Sequence, residues 1–302
     1  MSGTIHSVSE RFDFTGDELA PAYRAAVDAI EAGDLVVLPT DTVYGLAADA
    51  FKADAVQRLL DAKGRGRDMP PPVLISVVES LDALATDVPD SGRKLAQEFW
   101  PGPLTLICHA QTSLLWDLGE SQGTVALRVP DHEQTRELLS RTGPLAVSSA
   151  NKSGRPAALD VYDAEEQLAE SVAVYLDGGE VSGAQPSTIV DITGETPRVV
   201  RVGALSLEQL RAVVPEVTTD DEPTPPEPKP DGETAAGAEA TTADAGEPAT
   251  APEKPAADDA TAAGAGDGAG TGGEEKLGEK PTDQRGRASN GEKTDSDVRP
   301  AD

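Results

Sequence analysis

Four polar islands interrupt the apolar runs of this chain. Each gathers side chains able to hold an anion or a small zwitterion. PTDTVYGL, from Pro39, sets the hydroxyls of Thr40 and Thr42 beside a proline turn. Threonines in a turn also bond their own backbone, so this stretch alone admits either role. KGRGRDMPPPVLI, from Lys63, places Lys63, Arg65 and Arg67 among glycines. Glycine lets a backbone approach closely and the cations suit a polyphosphate, although a solvated basic loop has the same composition. SSANKSGRP, from Ser148, offers Ser149 and Asn151. Such hydroxyl and amide groups bond ribose or phosphate oxygens, or else cap a turn. PSTIVD, from Pro186, adds Ser187.

Two arginines extend the set. TVALRVP, from Thr124, plants Arg128 in an apolar run, and Arg201 ends the β-branched run VVR. An arginine is almost never buried without a partner. A carboxylate ligand would satisfy the fork of Arg128, and so would an internal carboxylate. His6, His109 and His132 lie outside the islands, so none is given a catalytic role. Cys108 is the single cysteine, which excludes an intramolecular disulfide and a thiolate metal cluster. Its place in LTLIC suits a buried, inert thiol. Neither GxGxxG after a strand nor GxxxxGK[ST] is present, so the two commonest nucleotide-binding loops are absent.

These islands need elements to hold them. Leu19 to Ala32 has apolar residues at helical spacing, with Gly33 as a stop signal. Asp54–Ala62, Ser80–Ala85, Ser91–Phe99, Tyr162–Ala169 and Leu205–Val214 read as further helices, the last capped by Ser206. LVVLP, PVLISVV, LTLIC, TVALRV, PLAVSSA, VAVYLDGG, STIVDIT and PRVVRVG read as strands. The near-continuous apolar runs suit strands buried on both faces. Strands alternating with helices predict an α/β domain with a mixed, mostly buried sheet. Loops at strand ends, where the islands fall, are where such sheets place ligands.

Composition divides the chain. Every Phe, Tyr and Trp precedes Thr218, and beyond it the large aliphatic residues are Leu277 and Val298 alone. Ala, Gly, Pro, Thr, Glu and Asp fill residues 218–302, which cannot offset the entropy of ordering a backbone. The expectation is one folded domain over 1–217 and a disordered acidic tail over 218–302. The whole chain carries a formal charge of −29. From Thr218 onward 21 acidic residues face 8 basic ones, a charge of −13, leaving −16 for residues 1–217. So acidic a domain is no generic nucleic-acid binder. With no secretory signal and no long apolar span, a soluble cytoplasmic protein away from membranes is expected.

Taken in order, PTDTVYGL, the K-x-R of Lys63 to Arg65, WPGPLTL, the S-x-N of Ser149 to Asn151, SGRP and PSTIVD resemble the threonylcarbamoyl-AMP synthase (YrdC-like) family. The match runs from about Phe14 to Val214. The resemblance implies a twisted mixed β-sheet with flanking helices around a deep basic cavity. It implies a nucleotidyltransferase that joins L-threonine, bicarbonate and ATP, releasing pyrophosphate, with Mg2+ carried by the ATP. The product would pass to the threonylcarbamoyl transferase machinery acting on tRNA, with at most a weak direct tRNA contact.

Residue by residue, the resemblance gives Thr42, Arg128 and Ser187 to threonine. It gives Lys63, Arg65, Thr124, Ser149, Asn151 and Arg201 to ATP, with Lys63 and Arg65 also as the catalytic cations; it assigns no protein metal ligand. Met69 and Leu74 depart from the family pattern and receive no role. Longer members carry a second folded domain, which the acidic tail does not resemble. Two other readings share the motifs: a diverged YrdC-like paralogue with carbamoyl-AMP chemistry, and a non-catalytic RNA-binding module.

Overall fold

The chain divides into two units, Met1–Asp231 and Gly232–Asp302. A computed structural model describes residues 9–181 and 185–220, all in the first unit. The expected disordered tail lies outside the described residues, apart from its first three positions.

The strands are β1 (Glu10–Asp13), β2 (Val36–Leu38), β3 (Gly45–Asp49), β4 (Val73–Leu74), β5 (Ala85–Thr86), β6 (Leu104–Ala110), β7 (Thr124–Arg128), β8 (Leu145–Ser149), β9 (Val174–Asp177), β10 (Thr188–Asp191), β11 (Arg198–Arg201) and β12 (Thr218–Thr219). The helices are α1 (Ala20–Ala32), α2 (Ala53–Lys63), α3 (Leu81–Leu84), α4 (Asp90–Phe99), α5 (Glu133–Thr142), α6 (Val161–Leu168) and α7 (Leu207–Val213). One sheet runs in the order β1-β9-β2-β3-β8-β4-β7-β6-β10-β11-β12, with β5 beside β6. Parallel pairs such as β4–β7 and β6–β10 mix with antiparallel pairs such as β3–β8 and β6–β7. This is the mixed α/β sheet that the apolar runs predict.

The two-residue period of a strand explains those runs. In β2, Val36 and Leu38 enter one core with Phe14, Ile30 of α1 and Leu138 and Leu139 of α5. Val37, between them, enters the opposite core with Leu59 and Leu60 of α2 and Leu168 of α6. In β9, Val174 and Leu176 follow the first pattern and Tyr175 the second. Both faces are covered, so no polar alternation survives. A third core joins α3, α4 and α7 to β6, β7, β10 and β11.

Differences from the expected elements are local. PVLISVV pairs as a strand only at Val73–Leu74, and Val77 and Val78 are exposed. Paired structure continues through Thr219, two residues past the expected boundary at Val217, because β12 lies parallel to β11. Arg198 then bridges Asp191 and Asp220. Among the described residues no helix is long and apolar enough to cross a membrane.

Candidate active site

A cavity of about 570 Å³ opens where the ends of several strands converge. The turn after β2 supplies Thr40 and Thr42, the segment after α2 supplies Arg65, and β7 supplies Thr124 and Arg128. The end of β8 supplies Ser148 and Ser149, and the loop beyond it Asn151 and Arg155. Ser187 precedes β10 and Arg201 ends β11. Four arginines therefore face one space, and no carboxylate is among the lining residues. An acidic chain has built a locally cationic pocket, which focuses anions.

Arg128 is the most constrained of the four. Its Nε donates to Gly102 O (3.0 Å), one terminal nitrogen to Thr42 Oγ1 (2.9 Å) and the other to Asp41 Oδ1. The internal carboxylate left open by the sequence is thus Asp41, which also accepts from the Asp131 amide at 3.0 Å. A guanidinium carries five N–H donors. Three are spent here, and two remain for a ligand. Gly102 belongs to WPGP, where a Cβ would stand 2.5 Å from Phe99 O. The close turn that delivers its carbonyl to Arg128 therefore needs glycine.

Ser187 faces Thr105 across 2.8 Å of shared hydroxyl hydrogen bond. Arg201 donates to Ser187 O at 2.8 Å and to Ser187 Oγ at 3.2 Å. Arg65 reaches Ser148 Oγ at 3.1 Å, and its buried Nε finds no acceptor. Burial pulls all three guanidiniums below their ordinary value; Arg65 adds to this at Arg201, while Asp41 opposes it at Arg128. An arginine does not surrender its proton, so these shifts describe positive charge that the protein has only partly compensated. Thr124 Oγ1 bonds Ser121 O at 2.8 Å on the same wall.

Lys63 stands apart from the other expected contacts. It is 4% exposed and does not line the cavity. Its ammonium donates to Ser149 O, to Asn151 O (2.8 Å) and to Asn151 Oδ1 (3.2 Å). Asn151 Nδ2 in turn donates to Lys152 O (3.0 Å) and Arg155 O (2.7 Å). The lysine therefore ties the end of α2 to the S-x-N loop from behind. Burial, with Arg65 nearby, pushes its pKa down to about 8. The sequence reading gives Lys63 a direct contact with ATP; here its donors are turned to loop oxygens of Ser149 and Asn151, and those two residues line the cavity.

The other expected residues are brought together. Thr42, Arg65, Thr124, Arg128, Ser149, Asn151, Ser187 and Arg201 share the one cavity. The sequence reading missed Asp41, Ser148 and Arg155. Asp41 had a signal, since it is the one carboxylate in PTDTVYGL and a buried arginine requires one. Leu74 lines the wall and Met69 is exposed. His132 instead caps α5, accepting from the Thr135 amide at 3.2 Å, with its ring stacked on Phe14. Cys108 is buried, and burial raises its thiol to about 12, as an inert core thiol requires.

Known proteins share this arrangement of chain. A family profile for Sua5, YciO and YrdC proteins, described as telomere recombination, matches residues 28–203. A Mycobacterium tuberculosis protein is 53% identical over 190 residues, covering 63% of this chain and 88% of its own length. Its description gives the activity of a threonylcarbamoyl-AMP synthase provisionally. The threonylcarbamoyl-AMP synthase of Pyrococcus abyssi is 37% identical over 195 residues, which is 64% of this chain and 57% of that longer protein. Among solved structures, Pyrococcus abyssi Sua5 complexed with L-threonine superposes with a TM-score of 0.67 at 34% identity, over 70% of this chain and 62% of that one. The chain belongs to the Sua5/YciO/YrdC family.

Proposed function

We propose that the chain is an L-threonylcarbamoyladenylate synthase, which joins L-threonine, bicarbonate and ATP and releases pyrophosphate. The observation that carries this is the cavity itself: four arginines, hydroxyls and an amide in one space of about 570 Å³ with no lining carboxylate. The relatives' activity names and the threonine-bound neighbour support the same reading.

In this reading the two unspent N–H groups of Arg128 take the carboxylate of threonine. Thr42 and Ser187 face the rest of that small zwitterion. Arg65, Thr124, Ser149, Asn151 and Arg201 hold ATP, and Lys63 keeps the Ser149–Asn151 loop in place. The threonine amine adds to carbon dioxide drawn from bicarbonate and loses a proton to solvent. One oxygen of the resulting N-carboxylate bonds to the α-phosphorus, and the bond from that phosphorus to the pyrophosphate oxygen breaks. Such a transfer needs alignment and charge neutralisation more than a strong base.

Mg2+ enters as part of the substrate, on the triphosphate. The donor set fits that role: the cavity offers hydroxyl and amide oxygens, and no group of three His, Cys, Asp or Glu residues among the described residues could cage a metal. The product is a reactive mixed anhydride, and in this reading a carbamoyl transfer to tRNA consumes it downstream.

Pyrophosphate release is the test, with one amino acid supplied at a time. A site that bonds a substrate hydroxyl rejects the analogue lacking it far more strongly than an apolar pocket rejects a missing methylene. Threonine should therefore support release, serine should do so detectably, and valine poorly. Equal rates with valine and threonine would place the chain among paralogues with other chemistry.

A further inference from the structure

Arg155, the arginine of SGRP, is the one cavity arginine given no role above. It lies six residues past the end of β8, in the loop that carries Asn151. Its backbone is pinned. The amide donates to Lys152 O at 3.0 Å, and the carbonyl accepts from Asn151 Nδ2 at 2.7 Å. On either side, Ser153 N donates to Lys63 O (2.9 Å) and Gln167 Nε2 to Pro156 O (3.2 Å).

Its side chain is held differently. The guanidinium meets Glu166 at 3.7 Å, beyond hydrogen-bond distance, with side-chain exposures of 54% and 75%. Exposed pairs of that kind hold their partners only weakly. Arg128 and Arg201 spend donors on buried oxygens; Arg155 keeps a fixed base and a cation that costs almost nothing to redirect.

We propose that Arg155 leaves Glu166 and binds the β- and γ-phosphates of ATP, the part that departs as pyrophosphate. Two observations place it there. It shares a loop with Asn151, just past Ser149 at the end of β8, and the reading above gives both of these to the nucleotide. It also stands, with Arg201, at the exposed end of the set: Arg128 is 6% exposed, whereas the Arg155 side chain is more than half exposed. The α-phosphorus must meet the carbamate deep in the cavity beside Arg128. The outer phosphates then point toward the mouth, where Arg155 stands. A guanidinium grips such oxygens in pairs, which an ammonium cannot match. This assignment rests on the nucleotide reading above.

The test is direct binding, measured by calorimetry on the full chain with MgATP, pyrophosphate and AMP. A hydrogen bond to a charged group corresponds to a loss of roughly 10- to 100-fold in affinity when removed. Arg155→Ala should weaken ATP and pyrophosphate by that factor and leave AMP unchanged. Arg155→Lys should recover part of the loss. Glu166→Gln, which removes the competing carboxylate, should leave pyrophosphate binding equal or tighter. Unfolding curves of all three variants should overlay the wild type. Wild-type ATP binding with Arg155→Ala equally tight overturns the proposal, and so does an equal loss for AMP. A wild-type chain that binds no ATP overturns the nucleotide reading instead.

Discussion

Lys63 separates two accounts of the K-x-R motif. If the lysine touches ATP directly, removing its charge lowers turnover and leaves stability alone. If it anchors the S-x-N loop, the cost falls on folding and on nucleotide affinity together. Lys63→Met keeps the apolar stem and deletes the donor. Ser149 O retains a second donor in the Asn151 amide at 2.9 Å. Asn151 O and Oδ1, at 2.8 and 3.2 Å from Nζ, lose theirs. Two buried acceptors left unpaired cost about 1–3 kcal/mol each, and relief of the buried ammonium returns part, for a net of about 2–4 kcal/mol. At 2–4 °C per kcal/mol for a domain of this size, Tm should fall by about 4–16 °C. Circular-dichroism melts and initial rates of pyrophosphate release check this: lower Tm, higher KM for ATP, unchanged KM for threonine. A wild-type melt with only kcat reduced would refute the anchoring role.

Arg128→Lys cannot serve Gly102 O, Thr42, Asp41 and a substrate carboxylate together, so the KM for threonine should rise roughly 10- to 100-fold in initial-rate assays while that for ATP holds. Gly203→Ala would put a Cβ 2.1 Å from Pro186 O and 2.5 Å from Ser187 O. Ser187 must shift, and the threonine KM should rise about tenfold or more even though residue 203 lines no part of the cavity. Lys63 also sets a pH dependence. Its folded pKa of about 8 lies below the unfolded 10.5, so between them the unfolded chain binds more protons and stability rises with pH. Cys108, raised to about 12, titrates with the opposite sign in both chains, so denaturant titrations at pH 8 and 10 should show the wild type gaining stability relative to Lys63→Met as the pH rises.

Where burial follows a simple period, the fold was readable in advance. The helix expected over Leu19–Ala32 forms at Ala20–Ala32, and that expected over Asp54–Ala62 forms at Ala53–Lys63. Ser206 caps α7 with a full capping box: its Oγ accepts from Gln209 N, and the Ser206 amide donates to Gln209 Oε1. The elements that escaped lack such signals. β1 is the polar sequence ERFD on the sheet edge. β3 is GLAAD, poor in strand formers, and is a strand because β2 and β8 flank it. α5 has an unusual cap, His132, and buries only Thr135, Leu138 and Leu139. At the site, residue types announced the cavity but not the direction of each side chain. Lys63 and Arg65 sit two apart, yet one turns inward to loop oxygens and the other lines the cavity. That choice follows from where α2 ends against the loop after β8, a tertiary fact with no local signature.

The central claim is that this cavity builds a carbamoyl linkage between threonine and AMP, with its carbon drawn from bicarbonate. Mass spectrometry of a reaction containing ATP, threonine and 13C-bicarbonate tests it most directly. The account predicts a threonine–AMP anhydride whose mass rises by one label when the bicarbonate is labelled, and no such species when bicarbonate is withheld. A threonine adenylate without the label, or AMP alone formed at the same rate without threonine, would contradict it.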